Sequence, residues 1–332
     1  MPLPEILMDF VLNFKQLSND VEKTIITNMF EEIKLFEGDR VFQDIVVDCL
    51  LDCHKFYREL EDDSSVSLRD IQRFIKVFLW FRANLKALEV TNLPFFTYKP
   101  DYLEQAICAF NICYVLRSST EQTRSKLKTS IAKNVKKLVT SFDPKHIEEI
   151  FYQTGAKIYD EMKNVGMSIP QHIAFNRPLR ENLISMLVCT LQKIPIMICG
   201  KPGSSKTLSS QILKANLGLG IAGSFLSKWP KLYIHYYCGS QTSTSEEIEL
   251  VFRDALESQK KLKDNKNVQT AIIFDEMGLS EISEHNPLKV LHSNLEPEVQ
   301  TVSFIGMSNW RLDMSKMNRA AFIAQPDIDE PS

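Results

Sequence analysis

Neither sign of charge is in excess: 39 basic and 42 acidic residues leave a net charge of −3 over 332 residues. A chain this balanced carries no global signature of a nucleic-acid or anionic-membrane partner, and only a local basic patch could supply one. Cysteine is sparse and odd in number, with seven residues at 49, 53, 108, 113, 189, 199 and 238. That pattern argues against a disulfide framework and predicts reduced, mostly buried thiols in a cytoplasmic protein. Cys49, Cys53 and His54 come nearest to a metal cluster, but no second Cys/His pair stands at a ligand spacing, so zinc is not expected. No apolar run is long enough for a transmembrane segment. Leu183–Cys199 is interrupted by Ser185, Gln192, Lys193 and Pro195, whereas a spanning helix needs about 20 apolar residues. Glu5 and Asp9 break the first apolar stretch, so a secretory leader is not expected there. Internal repeats and low-complexity tracts are absent as well.

What is present is an ordinary globular composition, 44% hydrophobic and 24% charged, with enough chain for about two domains. Residues 1–150 have helical texture. Phe10, Val11, Phe14, Leu17 and Val21 recur at helical spacing, as do Ile71, Phe74, Ile75, Phe78 and Leu79. Glu61–Ser65 reads as a polar loop, Ser67 as the cap of the next helix, and 92–100, with two prolines, as a connector. Between 121 and 140, six Lys or Arg face one Glu, with Leu127, Ile131, Val135 and Leu138 on a common stripe. We expect a solvated face over an apolar stripe rather than a nucleic-acid groove.

Near residue 165 the texture changes. Short apolar runs at Ile194–Cys199, Leu232–Cys238, Ala271–Phe274 and Val302–Met307 alternate with helical segments at Thr207–Leu217 and Ser245–Lys260. The expected fold class is α/β: a helical N-terminal half, then a mostly parallel sheet flanked by helices.

Gly200-Lys201-Pro202-Gly203-Ser204-Ser205-Lys206-Thr207 comes directly after the first apolar run and opens a helix, the setting a P-loop (Walker A motif) requires. The backbone N–H groups of such a loop converge on phosphate oxygens, Lys206 would neutralise β- and γ-phosphate charge, and the Thr207 hydroxyl would reach Mg²⁺. Ser205 stands where a glycine is usual before the lysine, and it fits if its φ stays negative. An ordinary glycine turn would explain the loop alone, but not its pairing with a downstream acidic strand end. Asp275 and Glu276 end a later apolar run, 69 residues after Lys206. In a Walker B role Asp275 would hold Mg²⁺ and Glu276 would orient and deprotonate the attacking water. Asn309 closes the run 302–307 at the carboxyl end of a core strand, where it could position that water. Arg319 lies further on as a candidate arginine finger for a neighbouring nucleotide, with a plain surface arginine as the alternative. The cofactors implied are ATP and Mg²⁺. Asp275, Glu276 and Asn309 favour water as acceptor over the hydroxyl a P-loop kinase would phosphorylate.

These residues resemble the mysterin family, giant proteins with tandem AAA+ modules and a RING-type ubiquitin ligase. The likeness runs through Pro2-Leu-Pro-Glu, Val66-Ser-Leu-Arg-Asp, Ile173–Leu183, Val188–Pro195, Gly200–Thr207, Asp275–Leu279, Pro287-Leu-Lys, Leu291-His, Ser308-Asn-Trp and Met317-Asn-Arg, and so covers essentially the whole chain. The P-loop form with serine before lysine is similar to the family's own. The resemblance implies that 1–90 is the helical lid of a preceding module, with Arg69 as its sensor-2 arginine. It further implies that 91–164 is a helical linker and 165–332 the large domain of the next module, ending before that module's own lid. The chain is then expected to be a fragment of a longer protein, with neighbouring modules of the same chain as partners. Ubiquitin machinery would be reached only through absent regions, since no RING-type Cys/His set is present. The expected activity is ATP hydrolysis, with nucleotide binding without turnover as the alternative.

Overall fold

The computed structural model describes residues 17–36, 38–85, 102–164, 173–218, 226–262, 267–296 and 301–326. Phe10, Val11, Phe14, the family-like Pro2–Glu5, the connector at 92–100 and the boundaries drawn at 90 and 165 lie outside the described residues.

The first half is helical, as its periodicity predicts: α1 (Asn19–Glu32), α2 (Arg40–Leu60), α3 (Leu68–Asn84), α4 (Leu103–Cys113), α5 (Glu121–Val135) and α6 (Pro144–Asn164). Local chemistry sets several of the starts. Ser18, Asp39 and Thr120 each accept a hydrogen bond from a first-turn N–H of the helix they cap. Ser67 and Asp70 form a reciprocal capping box at α3. Phe36 stands at the centre of an aromatic cluster, edge-on to Phe30, Phe42 and Phe78 at 5.5, 5.2 and 5.1 Å. The stripe predicted across α1 is displaced: Leu17 and Val21 are exposed, and α1 buries Ile26 and Phe30 instead.

The basic helix α5 departs from expectation. Lys126, Lys133, Lys136 and Lys137 are solvated, but Arg124 and Lys128 are buried. Arg124 pairs with Glu181 at 3.0 Å and Lys128 with Glu148 at 2.7 Å. Burying these charges is tolerable because each meets a carboxylate.

The second half is α/β: α7 (Arg177–Leu191), β1 (Ile196–Cys199), α8 (Lys206–Asn216), β2 (Lys231–Cys238), α9 (Ser245–Lys261), β3 (Val268–Asp275), α10 (Met277–Glu281), α11 (Leu291–Asn294), β4 (Ser303–Ser308), α12 (Met314–Met317) and β5 (Ala321–Ala324). The five strands form one sheet in the order β2-β3-β4-β1-β5, with every pairing parallel. β5 is not among the strands predicted. Alternate residues of β1 face opposite cores. Ile196 and Ile198 join Ile305, Ile323, α7 and the helical half, while Met197 and Cys199 join Phe252, Phe274, Phe304 and Phe322 under α9. The helical half therefore shares a continuous core with one face of the sheet. Among the described residues no helix is long and apolar enough to cross a membrane.

Candidate functional site

Because every strand is parallel, the carboxyl ends of β1, β3 and β4 open on the same side, and the loops after them meet there. The loop after β1 is Gly200–Ser205. Gly200 admits no side chain: a Cβ would stand 2.7 Å from Ser204 Oγ and 2.8 Å from Gln325 Cβ. Gly203 has φ +89° and open space about it, so its requirement is conformational. Ser205 has φ +61°, which corrects the expectation that serine fits here with negative φ. It occupies the left-handed region that a P-loop glycine would take, at a cost of about 1 kcal/mol.

Lys206 opens α8 and is buried. Its ammonium donates to Gly200 O, to Lys201 O at 3.2 Å and to Ser204 Oγ at 3.3 Å. Burial pulls its pKa below the usual lysine value, against the opposing pull of Cys199, Glu276 and Asp275. The next residue, Thr207, directs its Oγ1 at Asp275 Oδ2, 3.5 Å away. Lys201, Pro202, Gly203 and Thr207 are exposed, whereas Ser204 is buried, so the face of the loop is open and its back is packed.

Asp275 ends β3. Its Oδ1 accepts the Glu276 N–H at 2.9 Å, and Glu276 itself turns the chain at φ +51°. Asn309, one residue beyond the adjacent strand β4, donates from Nδ2 to Glu276 Oε2 at 2.8 Å. Sequence reasoning missed Tyr236 on β2, whose hydroxyl donates to Asp275 Oδ2 at 3.1 Å. Burial and the neighbouring Asp275 push its pKa up to about 12, so it remains a donor at neutral pH. Nothing in the local sequence marks it, since the contact exists only once β2 pairs with β3. Thr207 Oγ1 and Asp275 Oδ2 are hard oxygen donors beside an open loop, a donor set that would suit a small divalent cation such as Mg²⁺.

Lys206, Thr207, Asp275, Glu276 and Asn309 thus converge. Arg319 does not join them. It precedes β5 at the opposite, amino end of the sheet, where its Nε lies 3.5 Å from Glu296 Oε1 and its Nη1 donates to Ser315 O. Arg69 meets the same carboxylate oxygen at 2.8 Å. Arg69, Arg73, Lys76, Lys193, Glu296 and Arg319 line a cleft of about 420 Å³. Lys193 lies before β1 and Gly200 after it, so the four residues of β1, about 13 Å, separate this cleft from the P-loop.

A glycine-containing loop after β1, an acidic pair at the end of β3 and an asparagine after β4, on a parallel sheet in this order, are the arrangement of a P-loop domain of the AAA class. The family model described as the RNF213 AAA domain matches residues 172–332. Over 359 aligned positions the chain is 32% identical to the human E3 ubiquitin-protein ligase RNF213, covering 99% of this chain and 6% of the relative. The mouse protein of the same description is 30% identical and the zebrafish E3 ubiquitin-protein ligase rnf213-beta 31%, each again over 99% of this chain and 6% of the relative. The chain belongs to the RNF213, or mysterin, family. It spans about 6% of the length of these relatives.

Proposed function

We propose that this module binds Mg-ATP at Gly200–Thr207 and hydrolyses it, as one AAA+ module of a cytoplasmic RNF213-like ubiquitin ligase whose ligase chemistry lies in other regions. The observation that carries the reading is the meeting of Thr207 with Asp275 at 3.5 Å and of Asn309 with Glu276 at 2.8 Å beside Lys206. Bound ATP supplies the scissile phosphoanhydride, and Mg²⁺ supplies charge neutralisation. The chain's own residues do the rest. The amides of the loop cradle the phosphates, and Lys206 turns from its three loop oxygens to the anion. Thr207 and Asp275 would hold the cation. Glu276 takes the proton of the attacking water, whose oxygen bonds the γ-phosphorus as the β–γ bridging bond breaks. Asn309 keeps the Glu276 carboxylate on station. Arg69 and Arg319 serve a different nucleotide, that of a preceding module, for which residues up to about 90 provide the lid. Neighbouring modules of the same chain are the partners in this reading.

A second reading is ATP binding without turnover, which is favoured by one feature: Tyr236 and Asn309 already occupy Asp275 and Glu276. Glu276→Gln in the full-length protein separates the two. Hydrolysis predicts that the variant keeps ATP affinity at this site and loses this module's share of phosphate release. Wild-type release with Gln at 276 refutes Glu276 as the base. No release from the wild type leaves the binding-only reading.

A further inference from the structure

The back of the P-loop rests on two pairs of adjacent residues, and one buried arginine of the helical half grips both pairs. On α7 the pair is Glu181 and Asn182, and at the end of β5 it is Ala324 and Gln325. Asn182, fully buried, donates from Nδ2 to Ser204 O at 2.8 Å and accepts from Gln325 Nε2 at 2.7 Å. The Gln325 backbone N–H donates to Cys199 O at 2.8 Å, which fixes its position beneath Gly200. Arg124, also fully buried, donates from Nη1 to both oxygens of Glu181 at 3.0 Å, from Nη2 to Ala324 O at 2.6 Å and from Nε to Ser118 O at 2.9 Å.

A trans peptide is planar, and its C=O and N–H point in opposite directions. Drawing Ser204 C=O back toward Asn182 therefore turns the N–H of Ser205 forward, onto the open face of the loop. Ser205 holds φ +61° without being glycine, and this peptide would relax more cheaply the other way up. The Asn182 hydrogen bond opposes that flip. Gln325 in turn fixes which end of the Asn182 amide faces the loop, because its Nε2 can pair only with the amide oxygen.

We propose that Asn182 is a positioning residue for phosphate binding: it aims the Ser205 N–H at the nucleotide, Gln325 orients it, and Arg124 ties both supports to the helical half. The orientation of α5 then bears on ATP affinity through a route of buried contacts. This rests on the reading that Gly200–Thr207 binds ATP. Gln325 supplies a discriminating variant, because its Oε1 is buried with no hydrogen-bond partner among the described residues. Gln325→Met removes that orphan while freeing Asn182 Oδ1, one unpaired acceptor exchanged for another, and keeps the side chain's length. A purely structural role predicts that stability and affinity move together.

The experiment is calorimetric titration of the 332-residue chain with Mg-ATP, paired with thermal unfolding and hydrogen exchange at the Ser205 amide. We expect Asn182→Asp, which presents an oxygen to Ser204 O, to weaken binding at least tenfold and to abolish protection of the Ser205 amide by ATP. Gln325→Met should weaken binding about fivefold with a midpoint close to wild type. Arg124→Lys cannot serve Ser118, Glu181 and Ala324 together and should weaken binding severalfold. If Lys206→Ala binds ATP as the wild type does, the ATP reading falls and this proposal with it. A Lys206-dependent site that is indifferent to Gln325→Met, and to Asn182→Asp where that variant folds, overturns the proposal alone.

Discussion

Replacing Lys206 with alanine tests the phosphate site at its most charged point. In the structure the ammonium is held by three neutral oxygens, those of Gly200, Lys201 and Ser204. Moving to a phosphate exchanges neutral acceptors for a charged one. Hydrogen bonds to charged groups contribute about 1.5–3 kcal/mol, so losing the ammonium–phosphate contact should cost about 1.4 kcal/mol or more. Lys206→Ala should then raise the Kd for Mg-ATP at least tenfold. Of the loop oxygens it abandons, those of Gly200 and Ser204 belong to buried residues, so the thermal midpoint should fall as well, and affinities are compared well below the variant's midpoint. Titration calorimetry gives the affinity and differential scanning calorimetry the midpoint. A pH series sharpens the test. Burial lowers the Lys206 pKa below its ordinary 10.5, and the protonated form binds phosphate. Wild-type affinity should therefore decline as alkaline pH approaches that value from below, and the Lys206→Ala affinity should show less of this decline. Equal affinity in wild type and variant would refute the phosphate assignment.

Groups outside the P-loop lead to two more expected outcomes. Burial pushes the Glu22 carboxyl up, but hydrogen bonds and charge from His54 and Arg58 outweigh it and hold the pKa at about 2 against an ordinary 4.5. A carboxylate depressed in the folded state stabilises above its unfolded pKa, so up to about 3 kcal/mol present at pH 5 should be lost as pH falls from 4.5 toward 2. Acid unfolding of Glu22→Gln, monitored by circular dichroism, should show that much less dependence across the window, and an unchanged slope would contradict it. Arg69→Ala should leave Mg-ATP affinity at the Gly200–Thr207 loop within twofold, about 0.4 kcal/mol, by calorimetry. A tenfold loss would place Arg69 in the wrong site.

Much of the core was legible because parallel strands buried on both faces read as continuous apolar runs, and Ile196–Cys199 and Ala271–Phe274 are such runs. β5 was not. Its four residues, Ala-Phe-Ile-Ala, carry two apolar alanines of weak strand preference and gain their place only by pairing with β1. The site residues share a signal, since polar groups at the carboxyl ends of strands stand out against apolar runs. Their mutual contacts do not, because Asn309 meets Glu276 only if β4 lies beside β3, a matter of strand order. Arg124 was misread for a related reason. Its position on a basic helix suggests solvent, and the carboxylate that permits its burial comes from Glu181, 57 residues away. Asn182 offered a faint clue as a polar residue beside the apolar stretch that begins at Leu183.

The sheet has two chemically distinct ends, and the helical half touches both. At the carboxyl end Arg124 reaches Glu181 and Ala324, behind the P-loop. At the amino end Arg73 donates to Asn318 O at 2.7 Å, Asn318 Nδ2 donates to Ser64 O at 3.0 Å, and Arg69 and Arg319 share Glu296. The two ends are about 13 Å apart along β1, beyond the ~8–10 Å over which exposed charges act at physiological salt. Charge at one end therefore has little direct effect on an anion at the other. What couples them is packing: α5 and α3 belong to one helical layer, whose core is continuous with α7 and one face of the sheet. An anion entering the cleft at the amino end would have to compete with Glu296 for Arg69 and Arg319. Displacing Glu296 would change how α3 is held, and α3 shares its core with the helix that carries Arg124. The same geometry that keeps the two ends electrostatically separate thus makes the helical layer the route by which one could sense the other.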